Sequence, residues 1–144
     1  MKYITGIHAL NLVCQLDTPG DWHQSALRWK DITYSDTSEG VFGEYGIEEN
    51  HTIPEHEGVF CAANHIRALL DLIYMRKFSV AQGMKESFIS DDKYTPEIFD
   101  HVYLLRNLSY WEEINDFMKK EYRVEWINFI KNQISVTGDQ NINQ

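Results

Sequence analysis

The densest group of chemistry-bearing side chains in this 144-residue chain is His51-Thr52-Ile53-Pro54-Glu55-His56, followed by Glu57 and Cys61. It places two imidazoles, two carboxylates and a thiol within eleven residues. These are zinc-ligand types, so His51, His56 and Cys61 are the metal-ligating candidates. Pro54 interrupts helical presentation, however, and no CxxC or HxxxH element completes a tetrahedral set. An exposed polar loop accounts for the same residues without an ion, and neither metal nor cofactor is expected.

A second group is Gly20-Asp21-Trp22-His23-Gln24-Ser25. With Asp21 capping a helix, His23 falls in the first turn, where the positive end of the dipole favours a neutral imidazole. Such an imidazole beside a carboxylate and a hydroxyl suits a general base, with Ser25 as nucleophile. No GxSxG elbow accompanies them, and capping with packing explains the same residues. In a third group Asn64, Arg67 and Asp71 share one helical face at i, i+3 and i+7, with His65 flanking them. That face is either salt-bridged surface or a lid over the N-terminal half, where His8 and Asn11 interrupt an apolar segment and need partners. Convergence of His8, Asp21, His23, Asn64 and Arg67 would build a catalytic or ligand pocket.

Charge is distributed unevenly. Residues 1–36 carry a net -1 and residues 59–144 a net -2 of the total -9. The 22 residues of 37–58 hold Glu39, Glu44, Glu48, Glu49, Glu55 and Glu57 and no Lys or Arg. An acidic run of this density is a solvated face, a docking surface for a basic partner, or a divalent-cation site without the spacing of a calcium loop. It disfavours direct binding to DNA or RNA, whose phosphates it would repel.

The elements that must position these residues are read from periodicity. Tyr3 to Leu16 fits one or two mostly buried strands, with a helical turn as the alternative, and Asp17-Thr18-Pro19-Gly20 fits a turn. A short helix follows over 22–29, then a hairpin of Ile32–Tyr34 and Val41–Tyr45 around a polar turn. Apolar residues at 59, 62/63, 66, 69/70 and 73 predict a helix from Val59 to Lys77, and a shorter one spans Ser79 to Ser90. Thr95-Pro96-Glu97 opens a helix to Asn107, and the capping box Ser109-Tyr110-Trp111-Glu112 opens a last helix to Asn132. The reading is α+β: a strand-rich part over 1–57 with one short helix, packed on a C-terminal bundle of about four helices. One compact domain covers 1–132, with a polar, flexible tail at 133–144. No stretch reaches the length of a transmembrane helix, and two cysteines do not make a disulfide framework. A cytoplasmic setting follows as the expectation.

The blocks Ile4-Thr5-Gly6-Ile7-His8-Ala9-Leu10-Asn11, Gly20 to Leu27 and Asn64 to Asp71 resemble those of a family of small uncharacterised bacterial proteins. The resemblance covers most of 1–130, implies a bacterial or phage setting, and brings no activity or site residue with it. Together these observations point to a small acidic interaction protein. It would be a regulator or inhibitor, antitoxin-like or counter-defence-like, that masks a basic surface of a protein partner, such as a nucleic-acid-processing protein. The alternative is a small enzyme or ligand-binding domain using the His/Asp/Asn/Arg pocket.

Overall fold

A computed structural model describes residues 1–21 and 27–142, with side-chain surroundings described as far as residue 135. The fold is mixed α+β, a four-stranded sheet in the N-terminal half followed mainly by helices. β1 (Lys2–Ile4) pairs antiparallel with β2 (Tyr34–Asp36) and parallel with β4 (Phe60–Ala63). β3 (Ile47–His51) pairs antiparallel with β4, so the order is β2-β1-β4-β3 with β3 at an edge.

The first strand ends early for a local reason. Gly6 has φ +63°, a left-handed turn that no continuing strand accommodates, and Gly6–Leu10 then winds into helix α1, the helical alternative for this segment and not a strand to Leu16. Asn11 closes that helix by donating its side-chain amide to the Ile7 carbonyl at 2.9 Å. The expected 32–45 hairpin is also replaced. Gly40, Gly43 and Gly46 all have positive φ and coil 40–46 into turns, so Tyr34–Asp36 pairs with β1 and Ile47–His51 with β4. The short helix expected over 22–29 falls largely outside the described residues.

The apolar stripe read from 59 to 73 is buried as its periodicity requires, but its first part is the central strand β4. Asn64 divides the two: its side-chain oxygen accepts from the Arg67 N–H at 2.8 Å and caps helix α2 (His65–Tyr74). Every α2 residue from His65 to Ile73 is buried, so α2 is the axis of the molecule, packed by α1, α3 (Phe78–Ala81) and α4 (Thr95–Tyr103).

Gln82 closes α3, and Gly83, at φ +94°, leads into a widened turn at Met84–Phe88. The last long helix of the sequence reading is two helices, α5 (Trp111–Tyr122) and α6 (Val124–Ile142), divided at Arg123 with φ 54° and ψ -122°. Tyr110 occupies the cap of α5 without a side-chain hydrogen bond, so the Ser109 capping box does not form. Segment 133–144, read as a flexible tail, is helical as far as Ile142. Trp126, fully buried, seats α6 against α4 and α5 through Phe99 at 5.0 Å between centroids and Asn115 at 2.7 Å. Among the described residues no helix is long and apolar enough to cross a membrane.

Candidate functional site

A cleft of about 980 Å³ opens where the end of α1 meets the loop after β3. Its walls are Leu10–Val13, the Thr18–Pro19 turn with Asp21, the run Asn50–Pro54, and His65 in the first turn of α2. Gly20 permits this meeting. At φ +67° a side chain is disfavoured, and a Cβ there would lie 2.4 Å from the Leu10 carbonyl oxygen and 2.7 Å from His65 Cε1. The Asp21 N–H donates to that Leu10 carbonyl at 2.8 Å, and Asn11 Nδ2 donates to Asp21 Oδ2 at 3.2 Å. Backbone and side chain together hold the Asp21 carboxylate on the cleft wall.

His65 ties the opposite wall. Its Nε2 donates to the Leu12 carbonyl at 2.7 Å, and Nδ1 lies 2.5 Å from Thr18 Oγ1. Cys14 Sγ is 3.6 Å from the same hydroxyl, giving a thiol–hydroxyl–imidazole chain. Burial pushes the Cys14 thiol up, but hydrogen bonding and charge from His65, then Thr18, outweigh it, so the thiol lies below its ordinary value. Burial likewise presses His65 down. The interaction with Cys14, the Leu12 carbonyl and the charge of Glu48 overcome this and raise it. The Thr18 hydroxyl thus couples the Cys14 thiol to the His65 imidazole, and each shifts the other toward its charged form.

Glu48 is 7% exposed, unlike its neighbours in the acidic run. Its Oε1 lies 2.7 Å from His51 Nε2, and its Oε2 accepts from the Gln15 N–H at 2.8 Å. It fastens β3 to the segment after α1. Glu39, Glu44, Glu49, Glu55 and Glu57 are exposed, so five of the six glutamates of the partner-binding expectation are on the surface and Glu48 is not.

The five residues expected to converge do so only in part. Asp21 lines the cleft; His23 lies outside the described residues. His8 is 5% exposed and structural: Nδ1 accepts from the Thr33 N–H at 3.2 Å, Nε2 donates to the Arg28 carbonyl at 3.1 Å, and the ring meets Trp29 edge-on. Asn64 is the α2 cap. Arg67 is 1% exposed, and its guanidinium is engaged on every side. Nε donates to Asp71 Oδ1 at 3.0 Å, Nη1 to the Gly43 and Tyr45 carbonyls at 2.8 and 2.7 Å, and Nη2 to the Tyr3 hydroxyl at 2.9 Å. Tyr3 and Thr5 both donate to Asp71 Oδ2, at 2.5 and 2.6 Å. Arg67 is thus the clamp that fixes the acidic loop to α2, not a ligand-binding group.

The metal candidates are likewise dispersed. His51 is on the cleft beside Glu48, His56 Nε2 donates to the Trp29 carbonyl at 2.7 Å, and Cys61 lies in β4 with Sγ 3.7 Å from Met1 Sδ. Among the described residues no group of His, Cys, Asp and Glu side chains could hold a metal ion. Cys14, Thr18 and His65, which the sequence reading did not propose as a site, come together although Thr18 and His65 lie 47 residues apart, and no local spacing advertises that. No family model, curated protein or solved structure matches this chain.

Proposed function

We propose that this is a small acidic interaction protein of the bacterial cytoplasm. In this reading it is a regulator or inhibitor of the antitoxin or counter-defence kind, and it masks a basic surface on a protein partner that handles nucleic acid. The observation that carries this is the exposure of Glu39, Glu44, Glu49, Glu55 and Glu57 on a segment without Lys or Arg. Buried Arg67 grips that segment through the Gly43 and Tyr45 carbonyls on either side of Glu44, and Glu49 is held in strand β3. Fixed charge of one sign steers a basic partner and repels nucleic acid.

The test is capture of the basic partner from the host, its identification, and measurement of its affinity against ionic strength. Binding weakens as salt rises, because exposed pairs are screened over about 10 Å at 0.1 M. Neutralising the five exposed glutamates to glutamine leaves the fold intact and reduces affinity by about tenfold or more, each rim pair contributing about 0.2–1 kcal/mol. Unchanged affinity in that variant overturns the reading.

A further inference from the structure

Cys14, Thr18 and His65 form a directional relay. A carbonyl only accepts, so His65 Nε2 carries the proton that it shares with the Leu12 carbonyl at 2.7 Å. In the neutral ring Nδ1 is then an acceptor, and it faces the Thr18 hydroxyl at 2.5 Å. With that hydroxyl donating to the ring, its oxygen accepts from the Cys14 S–H at 3.6 Å. A second acceptor for the S–H, the Leu16 carbonyl, is more distant at 3.9 Å. A nucleophile, a base reached through one hydroxyl, and a third group that orients the base are the parts of an activated thiol. The fold holds each of them. Gln15, next to Cys14, is tied to Glu48 through its N–H at 2.8 Å, the turn of Thr18 closes on His65 at Gly20, and His65 opens the buried helix α2. The cleft of about 980 Å³ is walled by Val13, Thr18 and His65, the chain neighbour and the two relay partners of Cys14, so a small molecule has room beside the relay.

We propose that Cys14 is a modification site, a reactive thiol that exchanges with low-molecular-weight disulfides while Thr18 and His65 carry its proton. The S–H proton passes to Thr18 Oγ1 as the hydroxyl proton moves to His65 Nδ1. The Cys14 sulfur attacks one sulfur of the disulfide, and the new S–S bond forms as the old one breaks. The electron pair of the broken bond leaves with the second sulfur, which takes the proton back from His65 and departs as a free thiol. Cys14 is oxidised to a mixed disulfide and the departing sulfur is reduced, so no further oxidant is needed. A disulfide suits this site better than an acyl substrate, because no charge builds on an oxygen and no oxyanion-stabilising donors are required. The lowered thiol and the raised imidazole agree with this direction of proton movement. Cys61 is the internal contrast: it is half-buried like Cys14, but its sulfur meets the Met1 thioether at 3.7 Å. The site is separate from the acidic face and does not depend on it.

The test is treatment of the native protein at neutral pH with bis(2-hydroxyethyl) disulfide, an uncharged probe, with the mixed disulfides at Cys14 and Cys61 followed by peptide mass spectrometry. Cys14 is expected to react about tenfold faster than Cys61 or more, the scale on which a positioned proton carrier acts. The difference vanishes in urea, where both thiols are exposed and the relay is gone. Thr18→Val leaves the tie between His65 and Leu12 in place and slows Cys14 by about tenfold without changing Cys61. Thr18→Ser restores the hydroxyl and returns the rate. His65→Gln also slows Cys14, and an amide spectrum recorded beside it shows whether the loss of the Leu12 tie has disturbed the fold. Should every variant disturb the fold, the comparison of the two thiols in the unmodified protein still decides. Equal rates at Cys14 and Cys61 in the native protein, faster reaction of Cys61, or a Cys14 rate indifferent to Thr18→Val in a folded variant overturns the proposal.

Discussion

Arg67 and Asp71 meet one turn apart on α2, Nε to Oδ1 at 3.0 Å, with 1% and 5% of their surface exposed. A buried ion pair persists only where the remaining donors and acceptors are also satisfied. Here the Gly43 and Tyr45 carbonyls take the guanidinium, and Tyr3 and Thr5 supply the carboxylate. The pair joins the helix axis, the first strand and the acidic loop in one network. Gly46 completes the junction. At φ +73° a Cβ there would lie 2.7 Å from the Arg67 Cβ, so the loop can approach the helix only as glycine.

Removing one partner therefore leaves a buried charge without compensation. Arg67→Ala is expected to lower the free energy of unfolding by about 3–5 kcal/mol, the range for breaking a buried pair. Urea denaturation measures it. A loss within the range of a surface substitution, about 0.5 kcal/mol, would show that the network does not hold the loop.

Gly20 is the second position where backbone geometry carries the site. Its neighbour is a backbone carbonyl at 2.4 Å from the built Cβ, which cannot swing aside as a side chain could. Gly20→Ala is expected to cost about 2 kcal/mol, from left-handed strain together with displacement of the 18–21 turn. Thermal melting gives the loss, and amide shifts in Leu12 and His65 report the opening of the cleft. A melting curve that overlays the unmodified protein's would mean the turn has another way to sit.

The limits of sequence reasoning are visible at particular residues. The burial of Ile66, Leu69, Leu70 and Ile73 was legible because helical periodicity is a local property. The identity of Phe60–Ala63 as strand was not. An apolar run of four residues pairs or coils according to its neighbours, and here β1 and β3 lie on either side. The break at Arg123 carries no glycine or proline to announce it. The turn that brings Asp21 to the cleft wall was legible from Asp17-Thr18-Pro19-Gly20. Which of the two readings His8 and Arg67 would follow was not: polar groups in apolar segments find internal partners, and those partners lie 25 and 22 residues away in Thr33 and Tyr45.

Alkaline pH tests the network from another side. Burial pushes the Tyr3 hydroxyl up from 10.0 to about 12, reinforced by the hydrogen bond to Asp71 and its charge and partly opposed by Arg67. The folded protein holds this proton more tightly than the unfolded chain does. Its stabilisation is intact below pH 10 and is lost as pH rises through about 12. Tyr3→Phe is less stable at neutral pH, since its two hydrogen bonds with Asp71 and Arg67 are gone, but its stability falls less steeply over that window. The raised hydroxyls of Tyr45 and Tyr122 keep some slope in both proteins. Parallel stability curves from pH 9 to 12 would remove Tyr3 as their cause.

The thiol–hydroxyl–imidazole chain at the cleft makes a prediction that needs no partner. Cys14 and Cys61 are both free, so a Cys61→Ser protein has a single thiol whose alkylation by iodoacetamide can be followed against pH. Only the thiolate reacts, so the midpoint of that profile reports the Cys14 titration. The midpoint is expected below that of an ordinary cysteine, because His65 and Thr18 together outweigh the effect of burial. His65→Gln keeps a hydrogen-bonding side chain beside Thr18 but removes the titratable imidazole, and should move the midpoint upward. Thr18→Val keeps the imidazole and breaks the bridge at 3.6 and 2.5 Å, so it should move the midpoint by a smaller amount in the same direction. A midpoint indifferent to His65 would mean that the thiol is governed by exposure alone, and that the proton on His65 answers to Glu48 and the Leu12 carbonyl.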